Sequence, residues 1–421
     1  MTIAVTRSGE PETKQARNSG TAGSTPAGSA PGSTPAGSAP GGASAGSAPG
    51  GASAGIASRV PDGTVQHVRI GDLQLESGVP LPDVVLAYET WGTLNADASN
   101  AVLIEHALTG DTHVTRGASE EPGWWEQLAG PGAPVDTDKY FVVSINILGG
   151  CYGSTGPSTP APDGRPWGSR FPLVTLRDTT AAEARLADAL GIGSWYAVVG
   201  GSLGGARALE WAVTYPGRVR RCAVISVGAS STAEQIAFAQ AQTLAIRQDP
   251  HFNGGDYYGG PEPEAGLALA RRIAHITYRS AAELDGRFGR NAQESEAPLE
   301  AGSLAGRGRY QVESYLDHQG NKLVRRFDAN SYIAITEALM SHDVCRGRGS
   351  LRESLAPATA EFLVAAVDSD RLYFPAQSRA LAEALPGGAD VHIIEAPIGH
   401  DGFLTEIGQL SGQLRETFFG H

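Results

Sequence analysis

A serine, an aspartate and a histidine, each placed just after an apolar run, carry the chemistry this sequence could do. Ser202 sits at the centre of Gly200-Gly-Ser202-Leu-Gly204, between the apolar run 197–199 and a helix-forming run from 203. Glycines on both sides permit a turn too tight for larger residues, which lifts a serine hydroxyl above a sheet edge. A hydroxyl becomes a strong nucleophile only when an oriented base takes its proton. His400, in Ile398-Gly-His-Asp-Gly402, can be that base. Asp370, in Asp368-Ser-Asp-Arg371, can be the acid that orients it, and Asp368 competes for the same place. Serine, then acid, then histidine, each in a loop after a strand, is the chain order that a strand–turn–helix nucleophile calls for.

The Gly-x-Ser-x-Gly pattern alone is weak in a chain with 55 glycines, and Gly42-Ala-Ser44-Ala-Gly46 and Gly51-Ala-Ser53-Ala-Gly55 match it too. Neither has a strand before it or a helix after it; Ser202 has both. A tetrahedral oxyanion needs two donors aimed where charge develops. The backbone N–H of Leu203 follows the nucleophile, and that of Leu108, in His106-Ala-Leu-Thr-Gly110, comes from the loop after an earlier strand. His106 and Asp111 also fit an H-x4-D acyltransferase spacing, but a serine elbow leaves such a histidine no role as base.

These residues need a scaffold. Runs 67–73, 84–90, 101–108, 140–146, 195–199 and 222–227 read as strands, with an alanine-rich helix at 180–190 and another after Ser202. Strands alternating with helices indicate a parallel, doubly wound α/β sheet. From about 229 to 357 the pattern turns helical, at 233–246, 264–275 and 330–341, and reads as an insertion covering the site. The alternation returns with a strand at 360–367, a helix at 375–385, a strand at 391–396 and a last helix at 404–418. Residues 1–58 differ: a nine-residue Gly/Ser/Ala/Pro repeat cannot bury enough apolar surface to offset its ordering entropy, so it reads as a disordered tail before a folded unit at 59–421. The Gly-rich stretch 148–157 has no P-loop lysine and reads as a wall of the active-site channel.

Composition narrows the partners. A net charge of −13 argues against nucleic acid and acidic membrane surfaces. Three cysteines without a C-x-x-C spacing argue against a disulfide framework or a zinc site. No apolar run nears the roughly 18 residues of a membrane span, and no secretory signal is visible, so a cytoplasmic protein is expected.

Several separated stretches together resemble the homoserine O-acetyltransferase family: His106-Ala-Leu-Thr-Gly-Asp111, Asn146-Ile-Leu-Gly-Gly-Cys-Tyr-Gly-Ser-Thr-Gly-Pro157, Trp167-Gly-Ser-Arg-Phe-Pro172, Gly200-Gly-Ser-Leu-Gly-Gly205, Arg326-Phe-Asp-Ala-Asn-Ser-Tyr332, Ser369-Asp-Arg-Leu-Tyr373 and Gly399-His-Asp-Gly-Phe403. The resemblance runs from about His67 to the C-terminus. It implies the α/β-hydrolase fold with a helical lid, an acylated Ser202, Asp370 as acid and His400 as base. It further implies that Arg271 holds the amino-acid carboxylate and Asp401 its ammonium. One departure is Leu203, where the family usually has methionine; the backbone N–H does the work, so the reaction is unchanged.

The implied reaction passes acetyl from acetyl-CoA to Ser202 and then to L-homoserine, a step towards methionine. It needs no metal and no bound cofactor, and the resemblance implies a homodimer. A zwitterionic acceptor fits an arginine and an aspartate as its clamp; whether Arg271 or Arg272 faces inward is open. A succinyl donor, a serine acceptor or simple ester hydrolysis on the same triad are the alternatives.

Overall fold

The computed structural model describes residues 60–300 and 303–420; the repeat read at 1–58 lies outside the described residues. The strands are β1 (Gln66–Gln74), β2 (Pro80–Trp91), β3 (Ala101–Glu105), the two-residue pair β4 (Ala129–Gly130) and β5 (Val135–Asp136), β6 (Phe141–Ile145), β7 (Ala197–Gly201), β8 (Arg221–Ile225), β9 (Glu361–Val367) and β10 (Val391–Ile394). Among the described residues, eight of them form one sheet in the order β1-β2-β6-β3-β7-β8-β9-β10. β1 pairs antiparallel with β2 and β2 with β6, while the remaining pairings are parallel.

β3 and β7 are buried from end to end, and β8 from Cys222 onward, because both faces of the sheet are covered. Side chains alternate across a strand, so Leu103, Val198 and Val224 join one apolar core. Val102, Ile104, Val199 and Ile225 join the other. Helices α1 (Leu176–Ala189) and α2 (Leu203–Thr214) pack on the first side. The C-terminal helices α10 (Gly402–Thr405) and α11 (Ile407–Leu414) pack on the second.

Between β8 and β9 the chain forms α3 (Ala233–Arg247), α4 (Glu264–Tyr278), α5 (Ala281–Phe288), α6 (Gln311–Val324), α7 (Ala329–Met340) and α8 (Leu351–Leu355); α9 (Pro375–Ala384) follows β9. α4 packs between α3 and α6, and α3 also packs on α7. No helix among the described residues is long and apolar enough to cross a membrane.

Several boundaries differ from the sequence reading. The run 101–108 leaves the sheet after Glu105, because the Ala107 carbonyl turns away to accept from Gly110 N at 2.8 Å. α1 starts at Leu176 rather than 180, since Thr175 and Asp178 form a capping box. The last helix divides at Glu406 (φ −91°, ψ 47°); Gln409 then exchanges two 2.9 Å hydrogen bonds with the Glu395 backbone and fixes α11 on the end of β10.

Candidate active site

Ser202 closes β7 and opens α2 with φ 58° and ψ −124°, a conformation in which a non-glycine residue is strained. The turn survives because its flanks have no side chains: a Cβ on Gly200 would lie 2.1 Å from the Gly204 carbonyl oxygen, and one on Gly204 2.1 Å from that of Glu105. The Ser202 N–H is held by the Ile225 carbonyl of β8 at 2.9 Å.

His400 and Asp370 meet beside it. His400 Nδ1 lies 2.6 Å from Asp370 Oδ2, while Asp370 Oδ1 accepts from the backbone N–H groups of Leu372 and Tyr373 at 2.8 and 2.9 Å. Both side chains are buried. His400 Nε2 has no hydrogen-bond partner among the described residues, so the ring presents a bare nitrogen. Ser202 and His400 line the same cavity of about 20 Å³ with Leu108, Thr109, Tyr278 and Asp401, room for about one water-sized group. Burial alone would favour neutral His400, but the Asp370 carboxylate, by charge and hydrogen bond, and Asp401 outweigh it and raise its pKa above the usual imidazole value.

Asp368, the competing acid, is exposed and accepts from Ala396 N at 3.0 Å, tying the end of β9 to the end of β10. Ser369 bridges the loops that carry Asp370 and His400, donating to the Ala396 carbonyl and accepting from Gly399 N at 2.9 Å.

The two oxyanion candidates also converge. Leu203 is the first residue of α2, so its N–H has no helical acceptor, and the macrodipole adds partial positive charge there. Leu108 lines the small cavity and a second one of about 40 Å³ that also reaches Ser202. That second cavity is walled by Phe238, Leu339, Met340 and Leu372, with Gln235, Gln242, Thr277 and Thr336 among its polar members and no lysine, arginine or histidine.

α4 answers the arginine question. Arg271 is buried, its Nη1 3.4 Å from Thr109 Oγ1 and its guanidinium 5.6 Å from the centre of the Tyr278 ring. No carboxylate lies within ion-pair distance of it among the described residues. Arg272, a 100° step round the helix, faces outward to Asp317 at 2.6 Å. Asp401 is buried, and burial raises its pKa against the opposing pull of Arg279, His400 and Arg271. Its Oδ2 lies 3.3 Å from Arg279 Nη2.

Sequence reasoning missed Arg279, which follows the last residue of α4 and has already left the helix with φ −105° and ψ 141°. It also passed over the aromatic box around His400, built by Tyr373, Phe403 and Tyr278 with ring centroids at 5.3, 5.4 and 5.9 Å. The Gly-rich stretch 148–157 does not line either cavity at Ser202. Ser154 and Thr155 stitch it to β2, and Tyr152 accepts from Arg326 at 2.7 Å. Arg326 also donates to the Thr109 carbonyl at 2.9 Å, so it links the stretch to the loop that carries Leu108.

His106 and Asp111 do not act together: His106 is locked into backbone contacts, and Asp111 accepts from His113 N at 3.0 Å. Cys151, Cys222 and Cys345 are free. Burial pushes the Cys151 thiol up to about 12 and Cys222 higher still, so neither is a ready thiolate. Among the described residues no group of three or more His, Cys, Asp and Glu side chains is placed to hold a metal.

A family model for the alpha/beta hydrolase fold matches residues 100–407. A homoserine O-acetyltransferase of Thermobifida fusca is 57% identical over 362 residues, spanning 85% of this chain and 94% of that protein. Among solved structures, homoserine O-acetyltransferase from Bacillus anthracis aligns with a TM-score of 0.79 at 29% identity, over 84% of this chain and 97% of that one. Esterase E22 aligns with a TM-score of 0.76 at 26% identity, over 84% and 99%.

Proposed function

Since the chain belongs to the homoserine O-acetyltransferase family of the α/β-hydrolase fold, we propose that Ser202, His400 and Asp370 move the acetyl group from acetyl-CoA to L-homoserine in two steps. His400 Nε2 takes the Ser202 proton as Oγ attacks the thioester carbonyl. The carbonyl oxygen becomes an oxyanion between the N–H groups of Leu108 and Leu203. As the C–S bond breaks, His400 returns the proton to the sulfur, and acetyl-Ser202 remains. The homoserine hydroxyl then gives its proton to His400 and attacks the acetyl carbon. Collapse of this second oxyanion returns the proton to Ser202 Oγ and releases O-acetyl-homoserine.

The observation that carries transfer rather than hydrolysis is Arg271, a buried guanidinium with no carboxylate of its own beside the oxyanion loop. Leaving such a charge without an anion is costly, and the acceptor's carboxylate supplies one. Asp401, next to the base, takes the ammonium, and Arg279 offsets part of its buried charge while the acceptor is away. Held at both ends, the acceptor hydroxyl outcompetes water by proximity. Phe238, Leu339 and Met340 of the insertion wall the second cavity at Ser202, which limits water beside the acyl-serine.

The donor follows from the second cavity. A succinyl group lodged there would bury another carboxylate opposite no cation, whereas an acetyl methyl meets Phe238, Leu339 and Met340.

The test is intact-protein mass after mixing with acetyl-CoA or succinyl-CoA, for the wild type and Ser202→Ala. The reading expects an acetyl adduct on the wild type only, discharged by homoserine faster than by serine or water. Ester hydrolysis without any adduct from either thioester would leave an esterase, the activity named for one structural neighbour.

A further inference from the structure

His106 stands where β3 gives way to the oxyanion loop, buried and held at both ring nitrogens. Nε2 lies 3.1 Å from the backbone nitrogen of Ile147 and 3.4 Å from Asn146 Nδ2. A backbone N–H can only donate, so Nε2 accepts and the ring proton resides on Nδ1. Nδ1 lies 2.8 Å from the Ala107 carbonyl oxygen. Burial first, and the Arg207 charge second, push the imidazole pKa down to about 3, which keeps this neutral tautomer across the working pH range.

The Ala107 carbonyl accepts a second bond from Gly110 N at 2.8 Å, so both its lone pairs are used. That carbonyl and the Leu108 N–H belong to one planar, trans peptide and point in opposite directions. Fixing the oxygen therefore fixes the hydrogen. Leu108 lines both cavities at Ser202, and its N–H has no acceptor among the described residues.

We infer that His106 is a positioning residue for acyl transfer: by donating from Nδ1 to the Ala107 carbonyl, it holds the Ala107–Leu108 peptide with its N–H turned to the oxyanion above Ser202. The inference rests on the reading of Ser202 as acylated nucleophile and Leu108 as oxyanion donor. Neutral His106 is neither base nor acid here, and its place in the sequence motif follows from peptide geometry.

Two substitutions separate the ring nitrogens. Asparagine can place an amide N–H where Nδ1 donated, and glutamine can place its amide oxygen where Nε2 accepted from Ile147. Pre-steady-state acetylation by p-nitrophenyl acetate reads the first step alone. His106→Asn is expected to acetylate within about 5-fold of wild type. His106→Gln, folded by circular dichroism and melting, is expected to fall about 10²-fold with KM unchanged, the scale of a lost oxyanion donor. A trifluoromethyl ketone, which binds as an oxyanion, should weaken by a similar factor on His106→Gln only; a merely structural role would not move it.

Should His106→Gln fail to fold, Gly110→Ala addresses the other bond, since its Cβ would sit 2.8 Å from His106 Cβ and 3.2 Å from the Ala107 oxygen. It should lower the acetylation rate at unchanged KM, and a wild-type rate would overturn the inference. Equal rates for folded His106→Asn and His106→Gln would overturn it as well, with the wild-type burst intact. Absence of a burst in the wild type would instead remove the acyl-serine reading beneath it.

Discussion

Arg279 Nη2 lies 3.3 Å from Asp401 Oδ2, joining the end of α4 to the residue after His400. The contact is one of several at this junction. Ser280 N donates to the Ile398 carbonyl at 3.1 Å, and Ser280 Oγ donates to that of Pro397. Gly399 has φ +92°, and a Cβ on it would lie 2.6 Å from Ser280 N. The junction of α4 and α5, just after the helix that carries the buried Arg271, thus braces the loop that holds His400.

Arg279→Ala should therefore slow both half-reactions. It leaves Asp401 buried without its cation, which raises the Asp401 pKa further and loosens the loop bearing His400. A fall of about 10-fold in both ester acetylation and transfer to homoserine is expected in rapid-mixing kinetics. An effect on transfer alone would confine Arg279 to acceptor binding.

Arg271→Ala should behave differently. Its guanidinium is read as the partner of the acceptor carboxylate, a charge-assisted contact on the order of 1.5–3 kcal/mol. The value of kcat/KM for homoserine should drop roughly 10- to 100-fold, while acetylation of Ser202 stays within about 3-fold. Arg272→Ala, on the outward face, should leave both steps unchanged.

The pH profile tests the triad. His400 accepts the serine proton only when neutral, and Asp370 and Asp401 raise its pKa in spite of burial. Activity should thus be lost as pH falls, with the acid limb of kcat/KM above the ordinary imidazole value of about 6.5. Asp370→Asn removes the larger of the two raising charges, so the limb should move to lower pH. The rate should also fall about 10⁴-fold, because the ring loses its orienting acceptor. A limb that stays in place would assign the titration to another group.

How much of this was legible in the chain depends on distance along it. Ser202, Asp370 and His400 were readable because each announces itself locally, by a glycine-flanked turn or a polar loop after an apolar run. The doubly wound sheet was readable because fully buried strands are apolar throughout. Asp368 and Asp370 looked alike until hydrogen bonding parted them: one ties strand ends, the other faces the imidazole. Arg279 was invisible because its meaning lies in the docking of α4 on a loop more than a hundred residues later. α5 and α6 were missed for a related reason. Few of their residues are apolar and buried, Phe288 alone on α5 and Tyr315, Gly320 and Leu323 on α6, so little in their composition marks them out from the polar loops around them.

Arg207 gives a prediction about stability. It is fully buried on α2, with Nη2 2.5 Å from Glu183 Oε1 on α1 and 2.6 Å from Glu105 Oε2 at the end of β3. One guanidinium thus holds two buried carboxylates, and Glu105 is driven well above its usual range by burial, with Arg207 opposing and Glu183 adding to it. Arg207→Met removes the cation and leaves both carboxyl groups buried, at a cost of roughly 3–5 kcal/mol. Without the cation the folded-state pKa of Glu105 rises further above the unfolded one, so the native state binds more protons than the unfolded state. The variant should then be least stable at high pH and should recover as pH falls through that raised value. Melting temperatures of wild type and Arg207→Met from pH 8 to pH 5 would show the gap narrowing on acidification. A gap that is constant across that range would mean that Arg207 contributes by packing rather than by charge.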